Sequence, residues 1–207
     1  MVNKKFILIF LMMFLGFVFS FNLVSSWADN GSLYQEVDGC GTLSTAGATY
    51  TLITDISNTG ANCIGFGAND ITLNCAGKTL TGDFTAGTYG INTLSRDNLN
   101  IRNCHVKEFD NGIYIVGGST NVTLENSVFN ASIAGGHGAY IAGSYHNIIN
   151  VTFTSELNSG LLSYTSYSNY TNVTVSGTSA VRQQGGVETI FKGLNATSTT
   201  GNAFQFY

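Results

Sequence analysis

The chain has 207 residues, which is enough for one domain with a hydrophobic core. Charged residues make up only 10% of it, and Pro is absent. Abundant Gly, Thr, Ser and Asn favour short strands joined by tight turns, and they argue against a helical bundle, which needs more Glu, Lys, Ala and Leu. The formal net charge of −4 and the lack of a basic stripe argue against nucleic-acid binding.

The N-terminal segment has the pattern of an export signal. Two lysines precede the uncharged apolar run of residues 6–24, and small residues lie at its end. This order predicts a secretory signal peptide over residues 1–28, cleaved after Ser26 or after Ala28. The alternative is an uncleaved membrane anchor, because the run is just long enough to span a bilayer. Either reading predicts a secreted or cell-surface protein that contacts a membrane only through this segment.

All four cysteines lie beyond the export signal, at Cys40, Cys63, Cys75 and Cys104. An even number of cysteines in an exported chain suggests two disulfides, and three pairings are open. We expect Cys40–Cys63 and Cys75–Cys104, with buried free thiols as the alternative. The wide spacing of the four residues argues against a zinc site.

A unit of about 23 residues recurs along the chain, with two or three short alternating strands in each copy. The marker positions of the successive copies are Cys75, Asn103, Asn126, Asn150, Asn172 and Asn195. This period predicts a solenoid, because one copy cannot bury its own apolar face without neighbours above and below. We therefore predict an all-β fold, a right-handed parallel β-helix of about five to six rungs over residues 67–207. Residues 29–66 are expected to form an N-terminal entrance or cap region.

The recurring asparagines have a structural explanation. In a stacked coil the same turn recurs in every rung, so an Asn amide can bond the Asn one rung away while its backbone adopts the left-handed conformation. A column of this kind would satisfy buried polar groups with one type of side chain. We therefore expect a structural ladder rather than a catalytic site, formed by Asn103, Asn126, Asn150, Asn172 and Asn195.

Two segments, residues 70–82 and 98–113, resemble the right-handed parallel β-helix superfamily. That superfamily includes pectate lyases, polygalacturonases, periplasmic copper-accessory β-helix proteins and uncharacterised prokaryotic cell-surface proteins, and the resemblance is closest to the last group. It covers residues 40–207. It is specific for the fold and implies little about activity, because one fold hosts many functions.

One motif invites a catalytic interpretation. Gly136-His137-Gly138 resembles the Gly-His-Gly of polygalacturonase-like enzymes, and the repeat alignment places Asn111 beside His137, with Asp110 next to it. Glycoside hydrolysis needs two carboxylates, however, and only Asp110 is available here. The Arg-Ile-Lys that follows in those enzymes is also missing. We therefore expect no catalytic residue, and keep a pectin-degrading lyase or hydrolase as an alternative function.

Metal chemistry is a further alternative. The three histidines, His105, His137 and His146, are scattered through the repeats. His105 and His137 do not share a repeat position, which makes a copper-accessory role a weak hypothesis. No metal and no cofactor are expected.

Tyrosines supply the leading candidate for a ligand-binding surface. Strand alternation should point Tyr114 and Tyr140 outward on adjacent rungs, and with His137 and Asp110 they form our candidate site. Stacked Tyr rings can contact sugar rings, although simple stacking between rungs is an equally good explanation. The function predicted from the sequence is an exported, non-catalytic scaffold or adhesin that contacts a polysaccharide or surface glycan.

The last copy of the repeat ends on an apolar strand. Phe204 and Phe206 occupy its inward positions, so one side of the strand would present unpaired backbone groups along the coil axis. End-to-end self-association is therefore expected, or additional rungs in a longer natural chain.

Overall fold

The structure, a computed structural model, describes residues 27–132 and 135–207. Nearly all of the predicted signal peptide, residues 1–28, therefore lies outside the described residues. The described part of the chain forms 23 β-strands and no α-helix. Accordingly, none of its segments is a helix of the length and apolar character needed to cross a membrane.

The strands are short, as expected from a sequence rich in Gly, Asn, Ser and Thr. In the first half of the chain they are β1 (Tyr34–Val37), β2 (Gly41–Leu43), β3 (Thr49–Leu52), β4 (Ile56–Ser57), β5 (Ile64–Phe66), β6 (Thr72–Asn74), β7 (Thr79–Thr81), β8 (Tyr89–Asn92), β9 (Asn100–Arg102), β10 (His105–Phe109) and β11 (Asn111–Ile115). In the second half they are β12 (Thr123–Glu125), β13 (Val128–Ala131), β14 (Ala139–Ser144), β15 (Asn147–Ile149), β16 (Thr152–Ser155), β17 (Ser159–Ser166), β18 (Asn169–Thr171), β19 (Thr174–Gly177), β20 (Ser179–Gln183), β21 (Ile190–Lys192), β22 (Asn195–Ser198) and β23 (Phe204–Phe206).

These strands form three parallel sheets, which confirms the predicted β-helix. The first sheet has the order β1-β3-β6-β9-β12-β15-β18-β21, the second β4-β7-β10-β13-β16-β19-β22, and the third β2-β5-β8-β11-β14-β17-β20-β23. From β3 onward, each turn of the coil adds one strand to each sheet in that sequence, whereas the first turn supplies only β1 and β2. The coil makes about seven turns rather than the five to six expected. The difference arises because residues 29–66, expected as a cap region, already contribute β1–β5 to the three sheets.

The core consists of apolar columns that run along the coil axis. In the first sheet, one column is Tyr50, Leu73, Ile101, Leu124, Ile148, Tyr170 and Phe191. In the second sheet, the matching column is Ile56, Leu80, Val106, Phe129, Phe153, Val175 and Ala196. Because each side chain contacts its equivalents in the rungs above and below, burial depends on stacking and not on any single copy.

Both predicted disulfides are confirmed. Cys40 is bonded to Cys63 with a Cα–Cα distance of 4.5 Å, and Cys75 to Cys104 with 4.8 Å. These distances match the spacing of about 4.8 Å between neighbouring strands, so each bond links two adjacent rungs. The two disulfides suit an oxidising compartment.

The turn between the first and second sheets carries an asparagine column. Asn103, Asn126, Asn150 and Asn172 occupy equivalent turns with φ between 48° and 56°. The Nδ2 of Asn150 donates to the Oδ1 of Asn126 at 3.2 Å, and the Nδ2 of Asn172 donates to the Oδ1 of Asn150 at 3.3 Å. The Asn103 amide donates instead to Asn74, at 3.0 Å.

Asn195 does not belong to this column. It lies in β22, where it pairs with Thr174, and the turn position of its rung is held by Gly193 with φ of 64°. The repeat alignment therefore places the last marker two residues too far along the chain, at Asn195 instead of Gly193. The cause is that the Asn-Ala-Thr sequence at the start of β22 resembles the Asn marker of the preceding copies. Glycine replaces Asn here by adopting the left-handed conformation without strain.

Substitution of Asn126 should destabilise the fold. Asn126→Ala removes the acceptor for Asn150 and places Ala at positive φ, so we expect unfolding free energy to fall by about 1–2 kcal/mol. Asn126→Gly should cost less, because glycine relieves the backbone strain. The matched control is Asn195→Ala, expected within about 0.5 kcal/mol of the parent. Urea unfolding measures all three, and an Asn126→Ala variant as stable as the parent would show that the column is not stabilising.

A carboxylate fastens the N-terminal segment to the first rung. Asp29 accepts hydrogen bonds from the backbone N–H groups of Gly31 (2.8 Å), Ser44 (2.5 Å) and Thr45 (2.9 Å). It also accepts from the side chains of Gln35, Thr45 and Tyr50. Burial alone would raise the pKa of Asp29, but the hydrogen bonds from Tyr50, Gln35, Gly31 and Ser44 outweigh it and hold the pKa far below its usual value.

This carboxylate predicts a specific pH dependence. Because the folded-state pKa is depressed, its contribution is complete above the unfolded pKa of about 3.9 and is lost as pH falls below that value. Asp29→Asn should therefore destabilise the protein equally at pH 5 and pH 7, and less at pH 2.5. Asp38→Asn, at an exposed position, is the control. Urea titrations that give the same Asp29→Asn penalty at all three pH values would contradict the assignment.

Candidate tyrosine-lined binding face

The outer surface of the third sheet carries one continuous row of side chains. Strand pairing places in this row Thr42, Gly65, Asn92, Tyr114, Tyr140, Leu162, Arg182 and Gln205. Ile113, Ile115, Ala139 and Ile141 are buried on the inner side, in keeping with the alternation expected for Tyr114 and Tyr140. The row is therefore small and polar at its N-terminal end and aromatic in its middle.

Four tyrosines stack along this surface. Ring centroids lie 4.6 Å apart for Tyr89 and Tyr114, 4.7 Å for Tyr114 and Tyr140, and 5.5 Å for Tyr140 and Tyr164. Neighbouring rings at these distances cover each other's faces. A ligand lying on the stack would thus meet mainly ring edges and hydroxyl groups.

A second pair of tyrosines flanks the stack, at the turn from the third sheet back to the first. Tyr145 and Tyr167 are 60% and 43% exposed, and their rings stack at 5.3 Å with an interplanar angle of 12°. Both have left-handed backbone, with φ of 61° and 52°. A bulky residue is a genuine outlier in this region, and such outliers often mark functional positions.

In earlier rungs the same turn carries amide and carboxylate side chains. The Nδ2 of Asn98 donates to Asp70 at 2.8 Å, and the Nδ2 of Asn121 donates to Asn98 at 2.8 Å. The column therefore changes from hydrogen-bonded amides to stacked aromatics between Asn121 and Tyr145. The sequence analysis did not predict this column. A signal for it was present, because Asn98 and Asn121 are one repeat apart and each is followed by an apolar residue, Leu99 and Val122.

Together these residues define the tyrosine face, formed by Tyr89, Tyr114, Tyr140, Tyr145, Tyr164 and Tyr167. The hydroxyl of Tyr164 donates to Gln184, whereas the other five hydroxyls have no hydrogen-bond partner among the described residues. Burial raises the pKa of Tyr89 and of Tyr140, so both phenols stay neutral at physiological pH. Tyr170 does not belong to this face, because it is 1% exposed and lies in the core.

Asp110 and His137 lie just before β11 and β14, two neighbouring strands of the third sheet. The backbone N–H of His137 donates to the Oδ1 of Asn111 at 3.1 Å, as the repeat alignment suggested, and its Nδ1 lies 3.3 Å from the Ser159 carbonyl oxygen. Burial lowers the pKa of His137, which keeps the ring neutral near pH 7. Asp110 accepts from the backbone N–H of Gly87 at 2.8 Å.

The glycines of Gly136-His137-Gly138 are explained by packing. A Cβ on Gly136 would lie 1.7 Å from the Asp110 carbonyl oxygen, and one on Gly138 would lie 2.6 Å from that of Thr154. Real Cβ atoms do not approach so closely, so the backbone contacts between rungs require glycine at both positions. The motif follows from these contacts without reference to catalysis.

The other two histidines lie in other parts of the coil. His105 is exposed on the second sheet. His146 is buried, accepts at Nδ1 from the backbone N–H of Val122 (3.2 Å), and has its Nε2 3.2 Å from the Ala142 carbonyl oxygen. Burial lowers the pKa of His146 as well. Within residues 27–132 and 135–207, no three His, Cys, Asp or Glu side chains come together in a way that could hold a metal ion.

Several aspartates hold neighbouring rungs together. Asp55 accepts from the backbone N–H of Thr79 (2.8 Å), and Asp83 from that of Gly60 (2.9 Å). Asp97 accepts from both the N–H and the hydroxyl of Thr120, at 2.7 and 2.9 Å. These carboxylates accept from backbone N–H groups of a neighbouring rung, whereas in the asparagine columns the side-chain amides bond one another.

No model of a known protein family matches the chain, and no curated protein matches it either. The assignment to a parallel β-helix therefore rests on the sequence repeat and on the three parallel sheets.

The unusual backbone of Tyr145 gives a test of whether the ring serves stability. Asn suits left-handed turns better than Tyr, and Asn at this position could donate to Asn121 in the way that Asn121 donates to Asn98. We expect Tyr145→Asn to melt at or above the temperature of the parent, and Tyr145→Ala to melt below it. Thermal unfolding followed by circular dichroism measures both. A large loss of stability in Tyr145→Asn would mean that ring stacking with Tyr167 is a structural requirement.

Proposed function

We propose that the chain is an exported, non-catalytic β-helix module that binds glycans through its tyrosine face and acts at the cell surface as a scaffold or adhesin. The observation that carries the proposal is the pairing of two tyrosine stacks on the same rungs. Tyr140 and Tyr145 lie in one rung, and Tyr164 and Tyr167 in the next. The face therefore extends both around the coil and along its axis.

The chemistry of the face supports a polar ligand with many hydroxyl groups. Five phenol hydroxyls make no hydrogen bond to the described part of the chain and can donate or accept, and the ring edges between them supply apolar contacts. Tyr supplies both kinds of contact at low conformational-entropy cost, which is why binding surfaces are enriched in it. A sugar chain presents the complementary pattern of C–H groups and hydroxyls.

Export is supported by independent features. The N-terminal pattern of charges and apolar residues predicts a signal peptide, and the two disulfides suit an oxidising compartment. Net negative charge and low charge density suit an extracellular surface that avoids nucleic acid.

A glycan array probed with the secreted protein tests the proposal. Single changes at the centre of the face, Tyr140→Ser and Tyr167→Ser, should each weaken binding to the preferred glycan about tenfold, from the lost ring contacts and hydroxyl. Tyr34→Ser is the matched control, because Tyr34 is 81% exposed on the first sheet. Absence of glycan binding, or equal losses in all three variants, would refute the proposal.

The same preparation tests the non-catalytic part of the proposal. We expect no release of reducing ends or unsaturated products from polygalacturonate and related polymers. Turnover that disappears in His137→Ala would refute this part and favour the enzymatic alternative.

A further inference from the structure

A cavity of about 240 Å³ opens on the third sheet at the N-terminal end of the tyrosine face. It is lined by Cys40, Gly41, Thr42, Asn62, Cys63, Gly65, Asn92 and Leu94. Strand pairing places Gly65 between Thr42 and Asn92, and Asn92 beside Tyr114. Because Gly65 has no side chain, the outer row is recessed there, directly next to the aromatic part of the row.

The cavity contains an amide held in a fixed orientation. Asn92 is only 7% exposed, and its Oδ1 accepts from the backbone N–H of Leu94 at 2.9 Å. Only the oxygen of the amide can accept, so this bond settles which end is Nδ2. That Nδ2 has no hydrogen-bond partner among the described residues, and it is not one of their fully buried unpaired atoms. The donor is therefore open to the solvent and available to a ligand.

Asn62, an exposed residue of the same cavity, repeats this arrangement. Its Oδ1 accepts from the backbone N–H of Tyr89 at 2.9 Å, and its Nδ2 also lacks a partner within the described part of the chain. The two asparagines therefore present N–H donors while their oxygens are occupied. A carbonyl oxygen is the natural complement of an amide donor of this kind.

The rest of the lining restricts the ligand further. None of the eight lining residues is charged, so a carboxylate would lose its hydration without gaining a cation. The Cys40–Cys63 disulfide and the Leu94 side chain supply an apolar surface. The volume lies below the roughly 300 Å³ at which pockets for whole small molecules begin, so the cavity suits a ring substituent.

We propose that this cavity is a subsite for the acetamido group of an N-acetylated sugar, in a glycan that continues along the tyrosine face. The carbonyl oxygen accepts from the Nδ2 of Asn92, and the methyl group contacts the apolar part of the lining, Leu94 and the disulfide. The Nδ2 of Asn62 remains as a second donor for a neighbouring hydroxyl group of the same glycan. The subsite rests on the proposed function, since it assumes that the face holds a glycan, and it names the chemical class of that glycan.

Two matched probes isolate the acetamido group. The β-1,4-linked tetramer of N-acetylglucosamine and the β-1,4-linked tetramer of glucose share their backbone and differ at this substituent. Calorimetry on the secreted, disulfide-bonded chain should show about tenfold tighter binding of the N-acetylated tetramer. Asn92→Asp keeps the shape and the acceptor for Leu94 but removes the donor, so it should abolish this preference. Asn147→Asp, which adds the same charge on the first sheet, should retain it.

A second variant tests the space rather than the donor. Gly65 does not have a positive φ. A Cβ there would lie 3.2 Å from the Leu94 Cδ1, a tight contact that the 45% exposed Leu94 side chain can relieve by shifting outward. Gly65→Val should therefore fold, fill the recess and also remove the preference. Equal affinities for the two tetramers in the parent, or an undiminished preference in Asn92→Asp, would overturn the subsite. If Tyr140→Ser still weakened both tetramers in that case, the tyrosine face would stand without the subsite. Binding of neither tetramer would overturn the subsite, and the glycan array would then decide the fate of the face separately.

Discussion

Parallel, in-register stacking of rungs is the constraint on which the structure depends. Each residue meets its equivalents one rung above and below at about 4.8 Å, and this spacing recurs in unrelated contacts. Disulfide-linked Cα atoms lie 4.5 and 4.8 Å apart, and the Tyr114 and Tyr140 rings are separated by 4.7 Å. Side chains at equivalent positions of successive rungs thus form a column. A residue type can recur in a column only where its side chains can pack against, or hydrogen-bond to, identical neighbours.

Columns at turns show this most clearly. Asn tolerates the left-handed turn, its backbone N–H donates to a carbonyl oxygen of the next rung, and its side-chain amide bonds the Asn of a neighbouring rung. The column that begins at Asp70 is hydrogen-bonded as far as Asn121 and continues with the stacked rings of Tyr145 and Tyr167. Both tyrosines have the left-handed backbone conformation, which Tyr rarely adopts. In these two rungs the neighbouring third sheet also carries tyrosines, Tyr140 and Tyr164. This combination of an aromatic sheet and an aromatic turn distinguishes the tyrosine face from the rest of the coil.

The same constraint explains why a short motif can mislead. Gly136 and Gly138 are glycines because neighbouring rungs bring backbone carbonyls to within 1.7 and 2.6 Å of where a Cβ would stand. His137 lies between them, half-buried and neutral, and Asp110 is used to hold Gly87. Conversely, the absence of a side chain at Gly65 leaves a recess in a row that is otherwise filled, and a binding site can arise from such a gap as readily as from a cluster of reactive groups.

The sequence by itself determined the fold class and the outward direction of Tyr114 and Tyr140. It predicted both disulfides but left other pairings and free thiols open, and the structure decided between them. Period and strand alternation are local properties, and stacking is the only way to bury a face that repeats every 23 residues or so. Only the tertiary structure decided how many rungs there are, because residues 29–66 form strands without the Asn marker. It also decided that Gly193 and not Asn195 holds the turn, that Tyr145 continues the column of Asn121, and that Asn62 and Asn92 share a cavity with the Cys40–Cys63 disulfide. These relations depend on the lengths of the turns between strands, which vary from copy to copy, so residues that meet in space have no constant spacing along the chain.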